Sequence, residues 1–332
     1  MLSGFSVAII IVIVLALSFD FLNGFHDTAN AIATSVATRV LRPQTAILMA
    51  AVLNFAGAFM STKVANTITQ GIVVGTLPEY VIIGTLVSAI IWNIVTWYFG
   101  IPSSSSHALI GSLIGAAIAF TLSFGSIMWV DVLAKVIIPL IASPFLGFII
   151  GYFFMTLLYE VLRKVPQPVI NKWFSKIQIL SAAFMAFSHG SNDAQKSMGI
   201  ITMALLSAGI IHTASVPWQV ILACALSMGI GTSIGGKRII KTMGFKMMKL
   251  RPVQGFAAET AAALVIQIAT GIGAPVSTTQ IISSSIMGVG ASKRFSAVNW
   301  SVASNIFKTW IFTIPVCMAM GALITLGIKL FY

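Results

Sequence analysis

The sequence FLNGFHDTAN at residues 21–30 recurs as FSHGSNDAQK at residues 187–196, and both stretches lie inside long apolar segments. The two copies share a Phe, a Gly and an Asp in register, so that Asp27 aligns with Asp193. A carboxylate at membrane depth costs about 2.5–3.5 kcal/mol to insert and usually marks an ion path or a buried pair. The repeated motif therefore predicts a polar centre built from both halves of the chain.

A second motif recurs in the same order. The sequence PSSSSH at residues 102–107 aligns with PVSTTQ at residues 275–280. Two polar motifs repeated in order predict an internal duplication. We expect a first repeat at residues 1–160, a cytoplasmic connecting loop at 161–176 and a second repeat at 177–332.

The composition places the chain in a membrane. Hydrophobic residues make up 58% of it and charged residues only 8%, whereas a soluble domain carries about 25% charged residues. A soluble enzyme is thereby excluded, and a β-barrel would show alternating hydrophobicity instead. At about 20 residues per crossing, polar breaks predict ten crossings, at residues 4–38, 44–62, 80–100, 103–122, 132–158, 177–206, 217–234, 252–273, 276–291 and 297–328.

The basic residues predict the orientation of these crossings. The chain has 19 Lys and Arg against seven acidic residues, and most of the basic ones fall in four predicted loops, 39–42, 160–176, 235–251 and 293–294. Ten crossings place all four loops on one side, which the positive-inside rule makes cytoplasmic, with both termini outside. The net charge of +12 then reflects topology, and no nucleic-acid partner is expected.

Each repeat would hold about five crossings, an odd number, so the second copy is expected to be inverted relative to the first. The predicted fold class is an all-α polytopic membrane protein with two inverted repeats of about five crossings each and interrupted helices. Such repeats are typical of secondary transporters, whose site lies near the midplane at the repeat interface.

The residues around the two aspartates favour a small cation. Hard oxygen ligands with few charges suit an alkali ion, whereas zinc prefers Cys and His clusters. The side chains that offer such oxygens near Asp27 and Asp193 are Asn23, Thr28, Asn30, Asn192 and Gln195.

The two Ser/Thr clusters favour an anion. A proline breaks each preceding helix, and a new helix that starts at the hydroxyls directs free N–H groups and a positive dipole end at the break. Two such helix starts related by inversion would meet one anion from opposite sides. Helix capping or close packing by small residues is the alternative interpretation.

Four other polar residues carry weaker signals. Glu259 is interpreted as a coupling-ion ligand or as the partner of Lys308, and Lys196 as a partner of Asp193 or a contact of the anion. Asp20 is assigned an interfacial or structural role. His107 is the histidine best placed to assist a substrate.

The motifs resemble the signatures of the inorganic phosphate transporter family, which includes bacterial low-affinity transporters and eukaryotic sodium-phosphate symporters. GFHDTANAIAT at 24–34 and GSNDAQKSMG at 190–199 carry the first pair, and the Ser/Thr clusters carry the second. The resemblance covers nearly the whole chain. Gln280 stands where the second copy often ends in His.

The resemblance implies phosphate import by cation symport through alternating access, with sodium favoured over the proton, in a multi-pass protein of the cell membrane. It also implies a homodimer and no cofactor beyond the transported Na⁺ or H⁺. The residues expected to bind phosphate are Ser104, Ser105, Ser106, Ser277, Thr278, Thr279, Asn30 and Gln195. Those expected to bind sodium are Asp27, Asn30, Asp193, Asn192, Asn23 and Glu259.

Three other functions fit parts of the pattern. A sulfate permease of the same superfamily is the alternative kept open, although sulfate carries no proton for a carboxylate to accept. An intramembrane aspartyl protease would carry a Gly-x-Gly-Asp pattern, and both copies here read Gly-x-x-Asp. An anion channel would be lined by basic rings or carbonyls and would not need paired carboxylates.

Overall fold

The protein is described by a computed structural model over residues 6–330. A π-helical turn, Val132–Ile137, joins the helix Trp129–Asp131 to the helix Ile138–Leu162 without a break, and another, Thr242–Lys246, follows the helix Lys237–Lys241. The helices of the described residues are α1 (Val7–Ala37), α2 (Pro43–Gly57), α3 (Lys63–Gln70), α4 (Glu79–Phe99), α5 (Ser105–Thr121), α6 (Trp129–Asp131), α7 (Ile138–Leu162), α8 (Gln167–Ser207), α9 (Trp218–Ile234), α10 (Lys237–Lys241), α11 (Pro252–Gly271), α12 (Thr278–Lys293) and α13 (Trp300–Lys329).

The predicted helical membrane class is confirmed. Within residues 6–330, five helices are long and apolar enough to cross a membrane: α1, α4, the continuous α6–α7, α11 and α13. Helix α9 and the helical segment after it pass the same test as one span bent by 62°. These five or six candidate spans are fewer than the ten crossings predicted from the sequence. The packing of the helices, described next, explains the difference.

Helices α1 and α8 form the centre of the fold and run antiparallel. Asn23 of α1 contacts Asp193 of α8 at 3.4 Å, and Thr38, just after α1, contacts Gln178, fifteen residues earlier in α8, at 2.9 Å. Both helices are continuous through their polar motifs. Neither motif contains a proline that would remove a helical hydrogen bond, which is consistent with unbroken helices here.

The helix breaks predicted at the two prolines of the repeated Ser/Thr motif are confirmed, and they lie between α4 and α5 and between α11 and α12. Helix α4 returns as α5, and at their shared base Tyr80 packs on Phe120 with ring centroids 5.9 Å apart. The tip of this first hairpin, residues 100–106, touches the tip of the second, residues 272–279, where Ser106 Oγ donates to the Val276 carbonyl at 2.8 Å.

The two hairpins approach each other from opposite ends of the fold. Helix α4 runs alongside α1, with Phe25 and Trp97 in ring contact at 5.0 Å, while α11 runs alongside α8, where Gln267 contacts Ser188 at 3.1 Å. Because α1 and α8 are antiparallel and the tips meet, each hairpin enters and leaves on its own side. The crossings predicted at 80–100 with 103–122 and at 252–273 with 276–291 are therefore two re-entrant hairpins.

The basic loops gather at one end of the fold. Arg163, Arg251 and Lys293, from three of the four predicted basic loops, line one cavity of about 200 Å³. The predicted connecting loop at 161–176 is shorter than expected, since α8 already begins at Gln167. Only residues 163–166 lie between α7 and α8.

Close backbone approach at the helix crossings depends on glycine. A Cβ on Gly190 of α8 would overlap the Asn54 backbone of α2, and small residues are what allow such contacts between membrane helices. Gly190→Ala should lower the free energy of unfolding by about 1–3 kcal/mol, the usual cost of overpacking.

Thermal unfolding of the purified protein in detergent measures this effect. Gly327→Ala is the matched control, because Gly327 also lies within a helix but a Cβ added there would meet no neighbouring helix within 4 Å. It should leave stability unchanged or raise it by up to about 1 kcal/mol, the helix-propensity advantage of Ala over Gly. Equal stability of both variants would show that the α2–α8 contact does not require glycine.

Candidate functional site

The tip of the second hairpin contacts both aspartates. Ser277 caps α12, its Oγ accepting from the Gln280 N–H at 3.4 Å. Thr278 Oγ1 then donates to Asp193 Oδ2 and Thr279 Oγ1 donates to Asp27 Oδ1, both at 3.2 Å. The start of a helix at these hydroxyls, predicted from sequence, is confirmed, and two successive residues bridge the pair of carboxylates.

The tip of the first hairpin contacts one of them. Ser104 caps α5 by accepting from the His107 N–H at 3.1 Å. Ser105 Oγ donates to Asp27 Oδ2 at 3.2 Å, while Ser106 donates to the second tip. Asp27 therefore accepts hydrogen bonds from both hairpins.

Asn30 and His107 strengthen the junction between the tips. Asn30 Nδ2 donates to Thr279 Oγ1 at 2.9 Å and lies 3.3 Å from Thr278 Oγ1, while its Oδ1 has no partner among residues 6–330. Nε2 of Gln280 lies 3.3 Å from Nδ1 of His107. The amide at position 280 thus pairs with the imidazole that the first motif supplies.

Asp193 has a buried cation of its own. Lys196 Nζ lies 2.6 Å from Asp193 Oδ1, and both side chains are almost completely buried. The sequence-based pairing of these two residues is confirmed. Asn23 Nδ2 and His189 Nε2 each lie 3.4 Å from the other oxygen, Oδ2.

Two histidines at the site were not assigned to it from the sequence. His26 Nδ1 lies 2.6 Å from Asp27 Oδ1, and ligand atoms of Asp27, His189 and Asp193 all lie within 4.8 Å of one another, close enough to hold one cation. The spacing carried a signal for His189, which lies four residues before Asp193 on the same helix face, but not for His26, because adjacent residues on a helix do not face each other.

Two predicted amides support backbone instead of facing the aspartates. Asn192 donates to Thr270 Oγ1 at 2.9 Å, and its Oδ1 accepts from the Val276 N–H at 3.4 Å, so it holds the second tip. Gln195 Oε1 accepts from the Val64 N–H at 2.8 Å at the start of α3, and its Nε2 donates to the Ser191 carbonyl. Both polar atoms of Gln195 thus bond to backbone, and one N–H of its Nε2 has no partner assigned among residues 6–330.

Glu259 lies in a separate polar cluster. Thr34 Oγ1 and Ser181 Oγ donate to its two oxygens, and Gln178 Nε2 donates at 3.2 Å. The described residues show no ion pair between Glu259 and Lys308, so that interpretation was wrong. Glu259 is held by hydroxyl and amide donors, away from the two aspartates.

The site is closed on both sides. None of the thirteen candidate residues exposes more than 2% of its surface. Buried polar groups of this kind are stable only when hydrogen-bonded or paired, as most of these are. A membrane-embedded centre of hydroxyls, amides and carboxylates, enclosed by two re-entrant hairpins, defines a membrane transport protein.

Comparison with known proteins identifies the family. Residues 23–321 match the sequence profile of the "Phosphate transporter family", and the chain belongs to it. It is 50% identical to a "Probable low-affinity inorganic phosphate transporter" of Bacillus subtilis, over 95% of each chain. It is 46% identical to a protein of the same name from Rhizobium meliloti, over 94% of this chain and 93% of the other.

A solved structure has the same fold. It is titled "The sodium-dependent phosphate transporter" and superposes with a TM-score of 0.88, covering 98% of this chain and 100% of the other, at 23% identity. The named relatives are transporters, so the chain is a multi-pass membrane transporter and not an enzyme.

Proposed function

We propose that the protein imports inorganic phosphate by symport with a cation, sodium favoured over the proton, through alternating access. The observation that supports this is the convergence of two hydroxyl-lined helix starts on one pair of buried aspartates. A sulfate permease is the second candidate, because the same hydroxyls would also hold sulfate.

Phosphate would bind between the two hairpin tips. The N-termini of α5 and α12 direct their free N–H groups toward this junction, and helix N-termini favour anions. Ser105, Ser106, Thr278 and Thr279 would donate hydroxyls, with Ser104 and Ser277 fixing the helix starts. The bonds that now join the tips, such as Ser106 to the Val276 carbonyl, would be exchanged for bonds to phosphate.

A cation is needed because the site is already negative. Asp27 and Asp193 contribute two negative charges against the one positive charge of Lys196. A phosphate dianion beside them would be repelled strongly in a medium of low dielectric constant. Sodium held by Asp27 and Asp193, with the unpartnered Oδ1 of Asn30 beside them, would offset this repulsion and couple the two substrates.

The sodium preference has separate support. The structural neighbour is by its title sodium-dependent, and the side chains near the aspartates offer mainly hard oxygen ligands, which suit alkali cations. Glu259, with Thr34, Ser181 and Gln178 around it, would serve as a further cation ligand on the side of the basic loops.

Alternating access would follow from an inverted repeat. Ser105 contacts Asp27 and Thr278 contacts Asp193, each at 3.2 Å, and these residues occupy equivalent positions in the two sequence repeats. With α1, α2–α3 and α6–α7 as crossings and one hairpin, each repeat would cross three times, an odd number that requires inversion. Movement of the hairpins relative to α1 and α8 would open the closed site to one side or the other.

The basic loops would face the cytoplasm and both termini would lie outside, in the cell membrane. The apolar faces of α7 and α13 carry exposed large side chains, including Phe145, Phe153 and Ile311. These faces would contact lipid or the second subunit of a homodimer.

Labelled phosphate uptake into proteoliposomes tests the function. An inward sodium gradient should drive accumulation at least about 10-fold above the equilibrium level, with a proton gradient alone giving none. Collapse of the sodium gradient with an ionophore is the control and should remove accumulation. Accumulation driven only by protons would replace sodium by the proton, and uptake without accumulation under either gradient would indicate a channel.

Competition separates phosphate from sulfate. Unlabelled phosphate should abolish labelled phosphate uptake, and equal concentrations of sulfate should leave it nearly unchanged. Strong competition by sulfate with weak phosphate uptake would favour the sulfate permease.

A further inference from the structure

One buried carboxylate has no part in the proposed mechanism. Asp20 lies on α1, seven residues before Asp27 and therefore on the same face of the helix, and none of its surface is exposed. The Ser197 hydroxyl of α8 is directed at this carboxylate, but no side chain within residues 6–330 forms a hydrogen bond of normal geometry with either oxygen. Of the expected interfacial or structural roles, a structural one would rest on the Ser197 hydroxyl, and a single hydroxyl does not compensate a buried charge.

An unpaired carboxylate in this position is unfavourable. A buried charge requires a counter-charge or hydrogen bonds, because the protein interior solvates it poorly. The nearest ammonium, that of Lys196, already lies 2.6 Å from Asp193. Asp20 therefore requires either a proton or a cation that is not part of the chain.

Two further oxygens beside Asp20 are also unpartnered. They are Asn23 Oδ1, one turn along α1, and Ser197 Oγ on α8, which faces Asp20. Both side chains are completely buried. Three neighbouring buried side chains on two antiparallel helices thus carry oxygen atoms that form no hydrogen bond of normal geometry among residues 6–330.

The charged and titratable groups around this position are few. Asp193 and Lys196 of α8 act on Asp20 electrostatically, and the thiol of Cys224 approaches it from α9. The Asp193–Lys196 pair has no net charge, so neither of its members is free to compensate a negative charge on Asp20. The donor set is one carboxylate, one amide oxygen and one hydroxyl, which suits a monovalent alkali ion.

We propose that Asp20, Asn23 and Ser197 form a binding site for a sodium ion, distinct from the cation position between Asp27 and Asp193. Its role in transport depends on the proposed symport function, but its ability to bind sodium does not. Occupation of this site would neutralise Asp20 while Lys196 stays on Asp193, so sodium would not have to displace the ammonium in order to bind here.

Equilibrium binding of ²²Na⁺ to the purified protein in detergent, without phosphate, tests the site. Asp20→Asn should bind one sodium ion fewer per chain than the unsubstituted protein, and Asp27→Asn should lose a different one. The double variant should lose both. Asp131→Asn is the control, since Asp131 forms an accessible ion pair with Lys135, and it should bind the full number.

A second pair of variants avoids the loss of a charge. Ser197→Ala should weaken the binding of one sodium ion by about 10-fold, roughly the effect of one lost ligand worth 1.4 kcal/mol. Ser283→Ala is matched to it, because Ser283 is likewise a buried hydroxyl without a partner among the described residues but lies on α12. It should leave sodium binding unchanged.

The outcomes are distinct. Full sodium binding by Asp20→Asn, or equal affinity in the Ser197→Ala and Ser283→Ala variants if Asp20→Asn does not fold, would overturn the proposal. A wild-type protein that binds a single sodium ion, lost in Asp27→Asn, would also overturn it. If phosphate accumulation proves independent of sodium while Asp20-dependent binding persists, the proposed function fails and this site stands.

Discussion

Asp27→Asn and Asp193→Asn should each reduce sodium-driven phosphate uptake by at least about 100-fold. Asp27 accepts hydrogen bonds from Ser105 and Thr279, and Asp193 accepts one from Thr278, so each carboxylate contacts a hairpin tip directly. A hydrogen bond to a charged group contributes about 1.5–3 kcal/mol, and 100-fold corresponds to about 2.8 kcal/mol. Asparagine keeps the shape but removes the charge that a cation requires.

The comparison must separate lost coupling from lost folding. Each variant should appear in the membrane at wild-type levels and elute from size exclusion as the wild type does. Asp131→Asn is the control, because its carboxylate pairs with Lys135 at 2.6 Å on an accessible surface and should leave uptake unchanged. Near-normal uptake in both site variants would mean that the aspartates hold the helices together and do not carry the cation.

The repeated residues correctly predicted which polar side chains meet, because few polar residues occur in such apolar segments. Aspartate in an apolar segment and hydroxyls after a proline have few favourable roles in a membrane, and each motif occurs twice. Asp27, Asp193, Ser105, Thr278 and Thr279 accordingly meet at one centre. Composition, through the fraction of apolar residues, likewise determined the helical membrane class.

The depth of a helix in the membrane could not be predicted in the same way. Helix α4 has 21 residues and passes the length and hydropathy test for a crossing, yet it ends at the first hairpin tip beside Asp27. Only its packing along α1 and the contact between the tips reveal a re-entrant hairpin. The composition of a helix indicates whether its surroundings are apolar, but only its tertiary contacts show whether it crosses the membrane or ends within it.

The roles of individual amides depended on the orientation of their side chains, which the motif alone does not reveal. Gln195 belongs to the second motif, but its side chain caps α3 and bonds to Ser191. His26 sits beside Asp27 without any spacing typical of a metal ligand, and its contact depends on the rotamer that packing against Thr96 permits. A motif thus identifies the region of the site, and packing against the neighbouring helices determines which of its side-chain atoms face the two aspartates.

Lys196→Gln should destabilise the protein by about 3–5 kcal/mol. Lys196 is the buried counter-charge of Asp193, at 2.6 Å, and removal of one partner of a buried pair leaves the other charge uncompensated. Thermal unfolding in sodium-free detergent solution measures the loss. Lys135→Gln is the control, since Lys135 is 58% exposed and an accessible ion pair contributes about 0–1 kcal/mol.

The double variant Asp193→Asn, Lys196→Gln separates the contribution of this ion pair to stability from its contribution to transport. It has no buried charge to compensate at this position, so its stability should recover to within about 1 kcal/mol of the wild type, while phosphate uptake should remain lost. Sodium should also stabilise Lys196→Gln more than the wild type, because the cation can take the position that the ammonium leaves beside Asp193. If sodium stabilises Lys196→Gln and the wild type equally, the ammonium and the cation do not compete for Asp193. Sodium must then be held by Asp27 without Asp193.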